Sequence, residues 1–226
     1  MGVVLLVRHA QASFGRADYD VLSPRGERQA AILASRLTGL GVDRVIHGGM
    51  RRQEHTAGIC LDLLGDVPLT VDAAWGEYDH EMILAAAAPT EEEQAAIEER
   101  MAAATDLQRA FQEVFELAVS RWTAGEHDDD YTEPYQAFRT RVRDGLAALV
   151  DDGASGTTVV VTSGGAISAV VADHLGLDAD GWRAMNRVLV NTSITKLVAG
   201  RSGVTLLTVN DHAHLEAEDP DLLTYR

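Results

Sequence analysis

The chain has 226 residues, 46% of them hydrophobic and 24% charged, the composition of an ordinary globular domain with a substantial core. Nineteen Lys and Arg stand against 35 Asp and Glu, a formal net charge of −16. That excludes a general nucleic-acid binder, which needs a basic face, but not a phosphorylated substrate gripped by a few local arginines.

The N-terminus opens on Val3 to Val7, an apolar and mostly β-branched run that stops at Arg8-His9-Ala10-Gln11-Ala12. This pattern predicts a buried strand running into a loop. The run is too short for a membrane span and has no basic flank, so neither a signal peptide nor a membrane anchor is expected there. Ser23-Pro24-Arg25-Gly26-Glu27 carries the marks of a helix start, with Ser23 as N-cap and Pro24 in the first turn. Ile32, Leu33, Leu37 and Leu40 continue it at helical spacing, and Gly39 and Gly41 end it. Val42 to His47 reads as a second strand. Gly48-Gly49 is expected to loosen the chain before a helix over Arg51 to Leu64. Strand, helix, strand, helix is the rhythm of a layered parallel sheet.

A short segment at Leu69 to Val71 leads to Trp75-Gly76-Glu77-Tyr78-Asp79. From about His80 to Val150 the chain is rich in Ala and Glu and reads as helical, broken at Gly125 to Pro134. Such a block predicts a helical insertion, about 78–150, within a single domain of residues 1–226. Thr157 to Thr162 is the clearest late strand and ends at Ser163-Gly164-Gly165, with a helix to about Leu175. Leu189 to Val198 and Val204 to Val209 are the last strand candidates. The predicted fold class is α/β: a three-layer α/β/α sandwich on a mixed, mostly parallel sheet.

In open α/β sheets ligands gather beyond the carboxyl ends of the strands. Four groups of polar residues fall there. Arg8 offers a planar fork of donors suited to phosphate oxygens, and a nearby cation favours a neutral His9 nitrogen able to attack phosphorus. Arg52, early in the second helix, combines a guanidinium with helix N-terminal amides. Glu77 lies among apolar and aromatic residues, a setting that favours the protonated carboxyl of a general acid; Asp79 and Glu81 are its rivals. At Ser163-Gly164-Gly165 the glycines admit backbone amides close to an anion.

These segments resemble the histidine phosphatase superfamily, also called phosphoglycerate mutase-like. The resemblance rests on Leu6-Val7-Arg8-His9-Ala10-Gln11 against that family's R-H-G signature. It continues through Arg52-Gln53-Glu54-His55-Thr56-Ala57 against R-A-x-Q-T-A, then Glu77 and the strand-to-glycine turn at Ser163. It implies that His9 is the nucleophile that becomes phosphorylated, that Arg8 and Arg52 hold the phosphoryl group, and that Glu77 protonates the leaving oxygen. The chain departs from the pattern at several points. Ser163 stands where V-x-H-G-G has a second histidine; serine still donates one hydrogen bond but brings no charge. Loss of one such contact costs on the order of 10²–10³ in rate, roughly 2.7–4 kcal/mol. Ala10 replaces a glycine, Gly48-Gly49-Met50 replaces S-P-L, and Gly15 replaces an asparagine, for which Gln11 or Ser13 is expected to compensate. Gly164 completes the expected phosphate-binding set.

The scheme needs no metal and no cofactor, because arginines and amides stabilise the charge. The expected partner is a small phosphorylated substrate, with no nucleic acid and no membrane. Cys60, the lone cysteine, lies in an apolar stretch; it excludes a disulfide framework, reads as a buried structural thiol and fits a reducing cytoplasm. Asp211-His212-Ala213-His214 and His127 to Asp130 carry metal-ligand residue types, but no further ligands stand at matching spacing, so both read as solvated loops. His212 and Asn191-Thr192 are further candidates to line the site; Arg51 reads as an exposed helix charge. Met82, Met101, Trp122 and Trp182 read as packing. The leading function is slow or broad phosphomonoester hydrolysis through a phosphohistidine on His9. The alternatives are a catalytically silent phosphate-ligand binding or regulatory protein, favoured by Ser163, and a phosphoglycerate mutase, disfavoured by the acidic segment after His80.

Overall fold

The computed structural model describes residues 2–13, 20–88, 90–151, 155–201 and 203–225. In chain order the elements are β1 (Gly2–Arg8), α1 (Pro24–Thr38), β2 (Val42–His47), α2 (Arg51–Leu64), β3 (Leu69–Val71), α3 (His80–Ala87), α4 (Glu91–Ala103), α5 (Leu107–Ala124), α6 (Tyr135–Asp151), β4 (Gly156–Thr162), α7 (Gly164–Leu175), α8 (Ala179–Val188), β5 (Ile194–Gly200), β6 (Gly203–Asp211) and α9 (Ala213–Glu216). They form two compact units, one of residues 1–77 and 141–226 and one of Tyr78–Thr140.

The first unit holds a six-stranded sheet in the order β3-β2-β4-β1-β5-β6. β1, β2, β3 and β4 run parallel, while β5 pairs antiparallel with both β1 and β6. The expected α/β fold with a mixed, mostly parallel sheet is therefore present. Alternation sends Leu5, Val7, Val159 and Val161 to one face, where they pack on Leu33, Leu37, Ala57 and Cys60 of α1 and α2. Cys60 is inert there: burial pushes its thiol up to about 12. Ser23 caps α1 through a bond from the Gly26 N–H, as its sequence position predicts.

Two departures from the sequence reading have physical causes. Leu189 to Ser193 is not strand: the Asn191 N–H donates to the Thr224 carbonyl, the Thr192 N–H donates to the Arg8 carbonyl, and Thr192 sits at φ 61°. Long-range partners thus take the backbone groups that a ladder would use. The sequence reading also passed over α8, although Asp178 caps it and Trp182 is buried in it.

The second unit is helical (α3, α4, α5 and the start of α6), built around Tyr78, Trp122, Tyr135 and Phe138. Their ring centroids lie 5.1–5.7 Å apart. The Trp122 indole N–H donates to the Glu133 carbonyl.

Gly48 does the opposite of loosening the chain. A Cβ there would meet the Trp75 carbonyl oxygen at 2.2 Å, so the bare backbone is what lets the Trp75 segment close over the end of β2. Gly48→Ala is expected to destabilise the protein by about 1–3 kcal/mol. In thermal unfolding this reads as a Tm loss of several degrees. Gly58→Ala, in a helix interior with nothing within 4 Å of its Cβ, serves as control and should hold or raise Tm.

Candidate active site

Register builds the site. β1 and β4 are parallel neighbours with Arg8 opposite Thr162, so the chain leaves both strands at one edge of the sheet. The His9 N–H extends the pairing to the Thr162 carbonyl at 2.8 Å. His9 and Ser163 therefore emerge side by side.

The imidazole of His9 is buried and its tautomer is fixed. Nδ1 lies 2.7 Å from the Ala10 carbonyl oxygen, which only accepts, so Nδ1 carries the proton. Nε2 is left with its lone pair and accepts from Arg52 Nε at 3.1 Å. Asn191 holds the residue from behind, its amide donating to the His9 carbonyl at 2.9 Å. Gln29 and Thr224 extend this chain: Gln29 donates to Thr224 Oγ1, which donates to Asn191 Oδ1.

Arg8 is buried and donates through Nη1 to the Leu189 carbonyl. Arg52, one residue into α2, is buried beside His9 while Arg51 is exposed. One turn on, Thr56 accepts from the Ala10 N–H and donates to the Arg52 carbonyl, locking α2 to the chain after β1. The Asp20 carboxylate pairs with Arg52 Nη1 at 2.6 Å and accepts from the Arg51 N–H at 2.8 Å. Ser163 is fully buried and its Oγ accepts from Gln53 Nε2 at 2.9 Å. Glu77 is half-buried, with Oε2 accepting from the Gly165 N–H at 3.1 Å. Arg141 braces the turn ahead of Glu77 by donating to the carbonyls of Ala73, Ala74 and Gly76. A Cβ on Gly164 would meet Asn186 Oδ1 at 2.5 Å, so a larger residue there would require the Asn186 side chain to shift.

Arg8, His9, Arg52, Ser163 and Gly164 thus gather at one sheet edge, and Glu77 reaches them through Gly165. Gln11 and Ser13 make bonds within the loop that follows β1. Gln11 Oε1 accepts from the Ser23 hydroxyl, and Ser13 Oγ donates to the Leu22 carbonyl; these bonds tie the loop to the chain entering α1. Gly15 lies outside the described residues. Asp79 caps α3 and Glu81 is exposed. His212 Nδ1 bonds the Asn210 carbonyl oxygen. Among the described residues no group of three or more His, Cys, Asp or Glu is arranged to hold a metal ion, and no helix is long and apolar enough to cross a membrane. Sequence reasoning missed Asp20, Gln53, Asn186 and Arg141. Only Gln53 carried a signal, as a large amide where R-A-x-Q-T-A has alanine.

A buried imidazole in contact with one guanidinium, next in sequence to a second, stands at the carboxyl edge of a parallel sheet, a set of groups suited to phosphate oxygens. The family comparison agrees: residues 4–212 match the histidine phosphatase superfamily (branch 1). The chain belongs to that superfamily. Among curated proteins no sequence match is found. Solved structures share the fold at low identity. A phosphoserine phosphatase mutant from Entamoeba histolytica, in complex with phosphoserine, is 18% identical with TM-score 0.66, covering 95% of this chain and 100% of that one. A mycobacterial glucosyl-3-phosphoglycerate phosphatase is 22% identical with TM-score 0.58, covering 92% and 98%. A phosphoglycerate mutase from Bacillus anthracis is 18% identical with TM-score 0.61, covering 95% of each chain.

An oxyanion reaching Arg52 would have to compete with Asp20 for it. Asp20→Asn removes that charge and keeps the shape, so orthovanadate should bind more tightly, by roughly three- to tenfold. Isothermal titration of both proteins checks this; weaker binding would instead make Asp20 a support that Arg52 needs.

Proposed function

We propose that this protein hydrolyses phosphomonoesters through a phosphohistidine on His9. The observation that carries the reading is the tautomer: the Ala10 carbonyl holds the proton on Nδ1, leaving on Nε2 a lone pair that attacks phosphorus once Arg52 Nε turns from it to the phosphoryl oxygens. In the first step Nε2 bonds to phosphorus as the ester P–O bond breaks, and the leaving oxygen takes a proton from Glu77. Arg8, Arg52 and the Ser163 hydroxyl stabilise the charge that builds on the phosphoryl oxygens. In the second step water attacks phosphorus, Glu77 takes up a proton, the N–P bond breaks, and inorganic phosphate leaves with His9 restored. Ser163 replaces the family's second histidine in this scheme, so the charge at that corner is smaller and turnover slower. The phosphatases among the structural relatives support the reaction class.

A second reading, binding of a phosphorylated ligand without turnover, is favoured by the Asp20 carboxylate on Arg52 and by the neutral Ser163. An acid-resolved mass measurement separates the two. Wild type mixed with a reactive aryl phosphate should gain one phosphoryl group, labile to acid, that His9→Ala lacks. Steady-state hydrolysis by His9→Ala should fall by on the order of 10³-fold or more. Full activity in that variant ends the nucleophile assignment; saturable binding with no phosphoryl gain supports the second reading.

A further inference from the structure

Gln53 is polar, belongs to neither the nucleophile nor the guanidinium pair, and is fully buried. Its amide orientation is decided by chemistry. The Met50 N–H can only donate, and the side-chain atom 3.2 Å from it is therefore Oε1. Nε2 must then be the atom facing Ser163 Oγ, so the serine oxygen accepts. Ser163 occupies the N-cap position of α7 but makes no capping bond with its side chain, although serine is among the preferred residues for that use. Its oxygen is committed to Gln53 instead. With one lone pair so engaged, the hydroxyl proton is directed away from the amide.

We propose that Gln53 is a positioning residue for Ser163: the amide sets the rotation of the hydroxyl so that its proton is presented to the phosphoryl group on His9. The proposal rests on the phosphatase reading for its reaction but not for the pair itself. The resemblance to the histidine phosphatase pattern implies alanine where Gln53 stands and histidine where Ser163 stands; Gln53 and Ser163, 110 residues apart, are in hydrogen-bond contact at 2.9 Å. A small residue paired with a large one, in either order, fills similar volume across one contact of a close-packed interior.

A double-mutant cycle tests it. Gln53→Met keeps the size of the side chain and removes the amide; Ser163→Ala removes the hydroxyl. On an aryl phosphate, each single variant is expected to lower kcat about tenfold with KM within about twofold. The double variant should be no slower than Ser163→Ala alone, because the amide has nothing left to orient. Multiplication of the two losses would overturn the proposal and make Gln53 structural. A reversed-polarity variant adds a readout that simple packing does not predict. Gln53→Glu can accept from the Met50 N–H but must also accept from Ser163, turning the hydroxyl proton back toward α2; it should lose at least as much kcat as Ser163→Ala. The swap Gln53→Ala/Ser163→His should be more active than Ser163→His alone, in which the imidazole has no room beside the amide. A swap no better than that single variant counts against the pair.

Should Gln53→Met fail to fold, judged by thermal unfolding, the Glu variant and the swap carry the same decision. If the wild type binds orthovanadate but turns nothing over, the phosphatase reading falls by itself. The cycle is then read in vanadate affinity, with the same coupling expected and additivity again overturning the proposal.

Discussion

The site depends on the parallel pairing of β1 with β4. Side chains on a strand alternate with period two, so a slip of one residue would send every inward group to the other face. Here the register is pinned from Gly2 opposite Gly156 to Arg8 opposite Thr162 by apolar residues on both faces. The penalty for exposing Leu5, Leu6, Val7, Val159, Val160 and Val161 therefore fixes where the polar residues after them must stand. His9 and Ser163 leave the sheet side by side because two hydrophobic strands agree on a register, and the Thr162 carbonyl carries that agreement one bond further, to the His9 N–H.

The α2 helix supplies the second half by its own periodicity. Arg52 and Thr56 are one turn apart and share a face; both meet the chain just after β1, through His9 Nε2 and the Ala10 N–H. Gln53, the next residue round the helix, meets the chain just after β4. One turn of one helix thus holds both strand ends. This explains how Gln53 and Arg52 can serve different neighbours while belonging to the same rigid element.

The elements most legible in the sequence were those with local causes. The strand ending in Arg8, the Ser23-Pro24 helix start, and the extents of β2, α2 and β3 follow from apolar runs, caps and glycines within a few residues. Arg8, His9, Arg52 and Ser163 were legible because they follow such elements directly. What stayed hidden was set by distant partners. Leu189 and Val190 look like strand, yet Asn191 turns there because Thr224 and Arg8 take the backbone groups. Asp20 is indistinguishable from other surface carboxylates until the fold sets it against Arg52, 32 residues away. The bonds of Gln11 and Ser13 to Ser23 and Leu22 were equally hidden, because nothing local in the sequence pairs them. α8 is a different case: Asp178, Trp182, Met185 and Val188 stand at capped helical spacing, a signal the sequence carried and the reading passed over.

Burying two guanidiniums in one corner is costly unless each is compensated. Here each has a partner within the chain. Arg8 leans on the Leu189 carbonyl, and Arg52 divides its donors between the lone pair of His9 and the carboxylate of Asp20. The same contacts set how tightly an oxyanion can bind, because each one it replaces must be given up. In a chain with net charge −16, the surrounding field opposes anions, so any affinity for one would have to come from short-range bonds in the corner itself. Asp20 is partly exposed while Arg52 is not. The carboxylate can therefore return to water as an oxyanion takes its place, whereas the guanidinium stays buried and paired in either arrangement. On the proposed phosphatase reading, such an exchange would keep the corner paired both before substrate arrives and after inorganic phosphate leaves.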